Sequence, residues 1–268
     1  MLASLPMYLV TPLAVQELWD WLKQDLMQQL GNSYPQLAFC DLKSPDNLHA
    51  HWQEPSLLVS QTCGYPLMTE LNKKVNLLGS FEYDAPYCNG IFCKSVVIAQ
   101  ANKINNNLLH FKNSKIAFNS PQSQSGYNSF RHLIAPLSQN GGFFENSICT
   151  ESHKASVLAV QSGQADIAAI DCVTYEGFCR YAPELTQGLK IINTTQAYPG
   201  LPLISALNTP TEVLDALKNS LSRIHLQEQL RDTLATLMIK QFKPSSWQDY
   251  EICLEMEKEA QTLGYQHL

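Results

Sequence analysis

The chain has 268 residues, of which 45% are hydrophobic and 16% charged, and its formal net charge is −6. That length supports one large domain or two lobes of ordinary size. The few scattered Lys and Arg form no basic stripe for nucleic acid and no polybasic patch for lipid, and no apolar run reaches the ~20 residues of a membrane span.

In chain order, Leu5 to Val10 reads as a strand. Thr11-Pro12 then opens a helix, with Thr as N-cap and Pro at the first position. This helix carries Leu18, Leu22, Leu26 and Leu30 on one face and stops at Gly31. Leu37–Cys40 and Leu57–Ser60 read as short strands, followed by Val75–Phe81 and Ser95–Ala99. A second alternation starts at Lys115: strand Lys115–Asn119, a Ser-rich loop, a helix, then strand Phe143–Cys149. It continues with a helix His153–Gln161, strand Asp166–Ile170, a helix Val173–Tyr181 and strand Leu189–Asn193. Alternation of buried-type strands with helices predicts parallel α/β sheets. The tail reads as helical. Thr209-Pro210-Thr211-Glu212 has the form of a capping box, and Ser245-Ser246-Trp247 opens a last helix ending at Gly264.

The eight cysteines contain no CxxC pair. Cys40, Cys149, Cys172 and Cys253 sit in apolar runs and read as small hydrophobes. Cys88 and Cys93 lack a second pair to complete a zinc site, and His49-Ala50-His51 reads as a solvated loop. No metal and no cofactor is expected. Met1–Tyr8 has no basic segment, and its short apolar stretch holds Pro6, so it does not read as a signal peptide. The expected location is periplasmic if an export signal precedes this chain, and cytoplasmic otherwise.

Four segments carry candidate chemistry. Ser123-Gln124-Ser125-Gly126-Tyr127 joins a strand to a helix. Orphan N–H groups at a helix start, the helix dipole and two serine hydroxyls favour an oxyanion there; plain capping by the same serines is the competing use. Val59-Ser60-Gln61-Thr62-Cys63-Gly64-Tyr65-Pro66 leaves a strand at the edge where α/β sheets bind ligands, or is a simple turn. His153 opens a helix, where it can donate to an anion or simply cap. Asp171 ends an apolar strand and can accept from a protonated oxyanion or an ammonium group, or cap the next helix.

These segments resemble the phosphate/phosphite/phosphonate family of ABC-transporter substrate-binding proteins. The resemblance runs through Leu5-Pro6-Met7-Tyr8, Ser60 to Pro66, Tyr87-Cys88-Asn89-Gly90, Ser123 to Tyr127, Ser152 to Ser156, Ala165 to Asp171 and Pro199-Gly200-Leu201-Pro202, in the family's order. It implies a two-lobed type II periplasmic-binding-protein fold, with two mixed or parallel sheets flanked by helices and two hinge strands. Lobe one would be residues 1–97 plus 197–268 and lobe two residues 98–196, with a ligand cleft between them. It further implies ligand contacts from Tyr8, Gln61, Tyr65, Ser123, Gln124, Ser125, Gly126, His153 and Asp171. The family commonly shows Ser-Thr-Ser where this chain has Ser-Gln-Ser, so Gln124 replaces a short hydroxyl with a longer amide.

The resulting expectation is a monomeric, non-enzymatic solute-binding protein. It would take a small phosphate-, phosphite- or phosphonate-like anion and hand it to an ABC permease. The alternatives are a ligand sensor working with a sensor kinase, and a hydrolase built on Cys63, His153 and Asp171. Cys63 reads otherwise as a packing residue or as one end of a bridge to Cys88.

Overall fold

The computed structural model describes residues 1–5, 11–102, 107–139 and 141–268. The chain folds as two units: unit one comprises Met1–Asp84, Asn89–Ile91 and Pro199–Asp249, and unit two comprises Ala85–Cys88, Phe92–Tyr198 and Tyr250–Leu268.

Unit one grows from the sequence signals at its first helix. Helix α1 (Pro12–Leu30) starts with Pro12, whose fixed φ suits a helix and whose missing N–H would have lacked a partner there. Thr11 stands at the N-cap without a side-chain cap bond, and Gly31 closes the helix at φ +56°. Leu18, Trp19, Leu22, Leu26 and Leu30 are buried on one face, each contributing about 1.5–3 kcal/mol through apolar area removed from water. The Trp19 indole N–H donates to the Cys40 carbonyl at 3.1 Å. The sheet takes β1 (Leu2–Ser4), β2 (Leu57–Gln61), β3 (Val75–Tyr83), β11 (Pro202–Ala206) and β12 (Ile239–Lys243) in the order β1-β2-β11-β3-β12. Helices α2 (Leu48–Trp52), α3 (Gly64–Thr69), α7 (Thr211–Arg223) and α8 (Arg231–Thr236) complete the unit.

The sheet is mixed, one of the two forms the family resemblance implies and not the purely parallel one that strand–helix alternation alone predicts: β1 and β2 are parallel, whereas β11 runs antiparallel to β2 and β3, and β12 antiparallel to β3. An antiparallel neighbour needs no crossover helix, so β11 can enter from the far end of the chain. Two local expectations change. Leu37–Cys40 is not a strand; Pro35–Phe39 forms a 3₁₀ turn that closes through Leu37 N–H to Tyr34 and Cys40 N–H to Leu37. Thr209 does not cap α7. Pro210 occupies the N-cap, and Thr209 Oγ1 instead shares a 2.7 Å hydrogen bond with Ser205 Oγ. Of the first expected strand, Pro6–Val10 lies outside the described residues.

In unit two, a short β4 (Phe92–Cys93) precedes β5 (Ser95–Gln100), β6 (Lys115–Phe118), β7 (Asn146–Cys149), β8 (Ile167–Asp171) and β9 (Leu189–Thr194). After β9 the chain passes through β10 (Tyr198–Pro199) back to unit one. The sheet order is β7-β6-β8-β5-β9. Strand β6 is parallel to β7 and β8, and β5 is antiparallel to β8 and β9. Each of the three parallel strands feeds a helix: β6 leads to α4 (Ser129–Ile134), β7 to α5 (His153–Gln161) and β8 to α6 (Cys172–Tyr181). The three helix starts therefore share one carboxyl edge. The chain leaves β6 toward β7 on one side and β8 toward β9 on the other, which is the switch in direction that opens a ligand crevice in α/β sheets.

The core of unit two joins Val97, Ile116, Phe130, Ile134, Phe143 and Ile167 with Ala260 and Tyr265 from the C-terminal segment. Helix α9 (Glu251–Thr262) thus groups with unit two, whereas the expectation placed it in lobe one. Side chains on the turn before α4 and on α4 itself hold it there. Asn128 Nδ2 donates to the Cys253 carbonyl at 2.7 Å, and an Arg131 guanidinium N–H donates to the Gln266 carbonyl at 2.8 Å.

Candidate functional site

The carboxyl edge of unit two gathers six of the expected site residues: Ser123, Gln124, Ser125, Gly126, His153 and Asp171. After β6 the chain enters a π turn over Gln124–Asn128 before α4 begins. The Asn128 N–H reaches the Ser123 carbonyl at 2.9 Å, the wide spacing of a π bulge, which recurs at functional sites. Ser123 is the N-cap, and its Oγ accepts from the Gly126 N–H at 3.0 Å. Ser95 Oγ donates to the Ser125 carbonyl at 2.8 Å, and Ser129 Oγ donates to the same carbonyl at 3.0 Å. These bonds fix the turn from β5, on the far side of β8, and from the helix behind it.

His153 stands at the first position of α5, behind the Ser152 cap. Its Nε2 and Ser125 Oγ share a 2.8 Å hydrogen bond. Gly126 lies against both walls of the site: a Cβ there would overlap Asn119 Oδ1 and stand 3.2 Å from His153 Cε1. Glycine is required at this position by close approach, not by φ. Among the described residues, Asn119 Oδ1 and His153 Nδ1 are buried without a protein partner. Unmet polar atoms of this kind call for a water or ligand partner.

Burial lowers the His153 imidazole from its ordinary 6.5 to about 4, so it is neutral near pH 7. The unfolded chain therefore binds a proton between pH 6.5 and 4 that the folded chain refuses. Stability of the ligand-free protein should fall as pH drops through that window, by up to about 3 kcal/mol from this group. Melting temperatures of wild type and His153→Gln between pH 7 and 4 test this. The gap between the two curves should change steadily over the window; parallel curves would contradict it.

Asp171 closes β8 and is 4% exposed. Its Oδ1 accepts from the Val173 and Thr174 N–H groups at 2.9 and 3.0 Å, so it caps α6. It lies one strand from the turn: its register partner on β5 is Ser95, which binds the Ser125 carbonyl. Ser95 Oγ also shares a 2.7 Å hydrogen bond with Tyr198 Oη. Burial first, and then the charge of nearby groups including Asp171, push the Tyr198 phenol well above its ordinary value.

Gln124 behaves differently from its neighbours. It is 1% exposed, its Nε2 donates to Met256 Sδ at 3.2 Å, and its Oε1 accepts from Asn128 Nδ2 at 2.9 Å. Its amide is directed at α9 and joins the packing within the unit. Gln61 and Tyr65 belong to unit one. Gln61 ends β2, is buried, and donates through Nε2 to Tyr83 Oη at 3.2 Å. Tyr65 is half-buried in α3. Tyr8 lies outside the described residues.

The sequence reading passed over Asn119, Ser95 and Tyr198. Asn119 carried a usable signal as the residue directly after β6. Ser95 becomes visible only through the pairing of β5 with β8, and Tyr198 only through its hydrogen bond to Ser95. Cys63 lies buried at the start of α3 in unit one, and in unit two the His153 ring meets Ser125. The Cys63–Cys88 bridge is replaced. All eight cysteines are thiols, and Cys88 Sγ lies 3.5 Å from Cys172 Sγ.

The family described as "ABC transporter, phosphonate, periplasmic substrate-binding protein" matches residues 57–250. The fold is shared with a binding-protein component of an ABC phosphonate transporter from Pseudomonas aeruginosa, with TM-score 0.76 and 18% identity over 98% of this chain and 87% of that one. It is shared also with PhnD1 from Prochlorococcus marinus in complex with methylphosphonate, with TM-score 0.74 and 16% identity over 98% and 97%. A histidine kinase sensor domain similar to periplasmic binding proteins superposes with TM-score 0.56 and 10% identity over 90% and 96%. No curated protein matches the chain in sequence.

Proposed function

Because the chain belongs to the family of periplasmic substrate-binding proteins of phosphonate ABC transporters, we propose that it captures a phosphonate- or phosphate-like oxyanion at the Ser123–Gly126 turn. The observation that carries this reading is the grouping of Ser123, Ser125, Gly126 and His153 at one helix start. Hydroxyls, backbone N–H groups and a neutral imidazole offer an anion fixed dipoles without a formal positive charge. Asp171 then serves as the acceptor for a protonated phosphonate oxygen or for an ammonium group on the ligand. The resemblance also nominates Gln61 and Tyr65 of unit one, together with Tyr8, and we include them in the proposal.

In this reading the protein is a monomer without catalytic activity, works in the periplasm and delivers its ligand to an ABC permease. A fold shared with a kinase sensor domain supports a second reading, in which the bound form reports to a sensor kinase. Affinity capture with the cognate permease distinguishes the two.

Calorimetric titration with phosphate, phosphite and methylphosphonate tests the ligand class. At least one should bind, and Ser125→Ala should weaken it by about 10-fold, the worth of one charge-assisted hydrogen bond. If none binds and Ser125→Ala leaves the calorimetric traces unchanged, the proposal fails.

A further inference from the structure

We propose that Cys88 and Cys172 form a dithiol site which small disulfides oxidise to an intramolecular disulfide. The proposal does not depend on the identity of the ligand.

Three thiols converge in unit two. Cys88 Sγ lies 3.5 Å from Cys172 Sγ, and Cys93 donates a further hydrogen bond to Cys172. The three come from separate stretches of chain: Cys88 from the 85–88 segment, Cys93 from β4 and Cys172 from the first position of α6. Among the described residues no group of three His, Cys, Asp or Glu side chains is arranged to hold a metal ion. Closing 3.5 Å to a covalent S–S bond asks for a movement of about 1.5 Å, within the reach of side-chain rotation and a small loop shift.

The chemistry assigns each thiol a role. Hydrogen bonds from Cys88 and Cys93, helped by backbone N–H groups and opposed by burial, hold the Cys172 thiol well below its ordinary value and favour its thiolate. Cys93 is 3% exposed and is pushed well above its ordinary value, first by its hydrogen bond to Cys172, so it stays protonated. Cys88 is half-buried and is the member that a solute can reach.

In the first step the Cys88 sulfur, losing its proton to water, attacks one sulfur of a disulfide such as oxidised glutathione. A Cys88–glutathione bond forms, and one glutathione thiolate leaves and takes up a proton. In the second step the Cys172 thiolate attacks Cys88 Sγ, the Cys88–glutathione S–S bond breaks, and the second glutathione leaves as a thiolate that takes up a proton from water. Two protein thiols are oxidised and one disulfide reagent is reduced to two thiols, so the electrons balance. The product ties the 85–88 segment to the residue following Asp171, the cap of α6.

The test treats the reduced full chain with oxidised glutathione, alkylates it under denaturing conditions and maps peptides by mass spectrometry. A Cys88–Cys172 linked peptide is expected, and dithiothreitol should remove it. Cys88→Ser should lose the link, and Cys172→Ala should trap glutathione on Cys88. Because Cys172→Ala alters a buried site and can fail to fold, Cys88→Ser at the half-buried member carries the test on its own. Absence of the linked peptide from the wild-type chain, or a Cys93–Cys172 link in its place, overturns the proposal. Exposed Cys149 and Cys179 are expected to take up glutathione without forming a link, and they report that the reagent was active.

Discussion

Replacing Gly126 by alanine is expected to weaken oxyanion binding by at least about 100-fold, the loss of two charge-assisted hydrogen bonds. The added methyl would overlap Asn119 Oδ1, stand 3.0 Å from Asn119 Cγ and stand 3.2 Å from His153 Cε1. Asn119 is a short, half-buried side chain directly after β6, so it can yield only by rotating its amide away from the turn. The methyl therefore displaces the Asn119 amide, the turn or the imidazole, and each of these is a wall of the site that includes the Ser125–His153 hydrogen bond. Helix propensity works in the opposite direction, since alanine in place of glycine favours helical backbone by roughly 0.5–1 kcal/mol. A loss of affinity with unchanged far-ultraviolet circular dichroism would therefore come from the site and not from a weakened helix. Calorimetry with methylphosphonate and phosphate on both proteins measures it. Equal dissociation constants would remove the turn from the binding site.

Arg131→Ala should be the most damaging single change to unit two. Arg131 is 5% exposed and holds several partners at once. Its guanidinium donates to the Gln266 carbonyl at 2.8 Å and to Asn128 Oδ1 at 3.3 Å, lies 3.6 Å from Glu257, and sits over the Tyr127 ring at 5.8 Å. Truncation leaves a largely buried carboxylate and a backbone carbonyl without this cation, a loss in the range of about 3–5 kcal/mol. At roughly 2–4 °C per kcal/mol for a unit of this size, the melting temperature should fall by about 6–20 °C. The C-terminal segment should also become the first target of limited proteolysis, because Arg131 is one of its anchors. Scanning calorimetry and a trypsin time course check both, and an unchanged melting temperature would contradict the anchoring role.

Legibility from sequence followed the range of the interactions. Helix α1 could be read because Pro12, Gly31 and the leucine spacing act within a turn or two of each other. Helix α5 could be read residue for residue, since Ser152 caps it by bonding the Ala155 N–H three positions on. The Ser123–Gly126 turn, His153 and Asp171 could be picked out because each follows an apolar run and precedes a helix. Leu37–Cys40 misled because four apolar residues suit a strand or a buried turn equally, and Pro35 decided for the turn. Thr209 misled because a hydroxyl beside a helix start has competing partners, and Ser205 outbid the α7 backbone.

By itself the sequence determined that this is an α/β protein of the phosphonate-binding family, with serine hydroxyls, an imidazole and a carboxylate at successive strand ends. Those features are written in local order, and chain order alone places strand ends and helix starts together. The tertiary structure decided what the side chains do once there. It turned the Gln124 amide toward Met256, and made Gly126 a matter of contact with Asn119 and His153. It carried α9 into unit two, and brought Cys172 to Cys88 across 84 residues of sequence. Each of these depends on which distant residue fills a given space, and packing sets that only when the whole sheet and its helices are assembled.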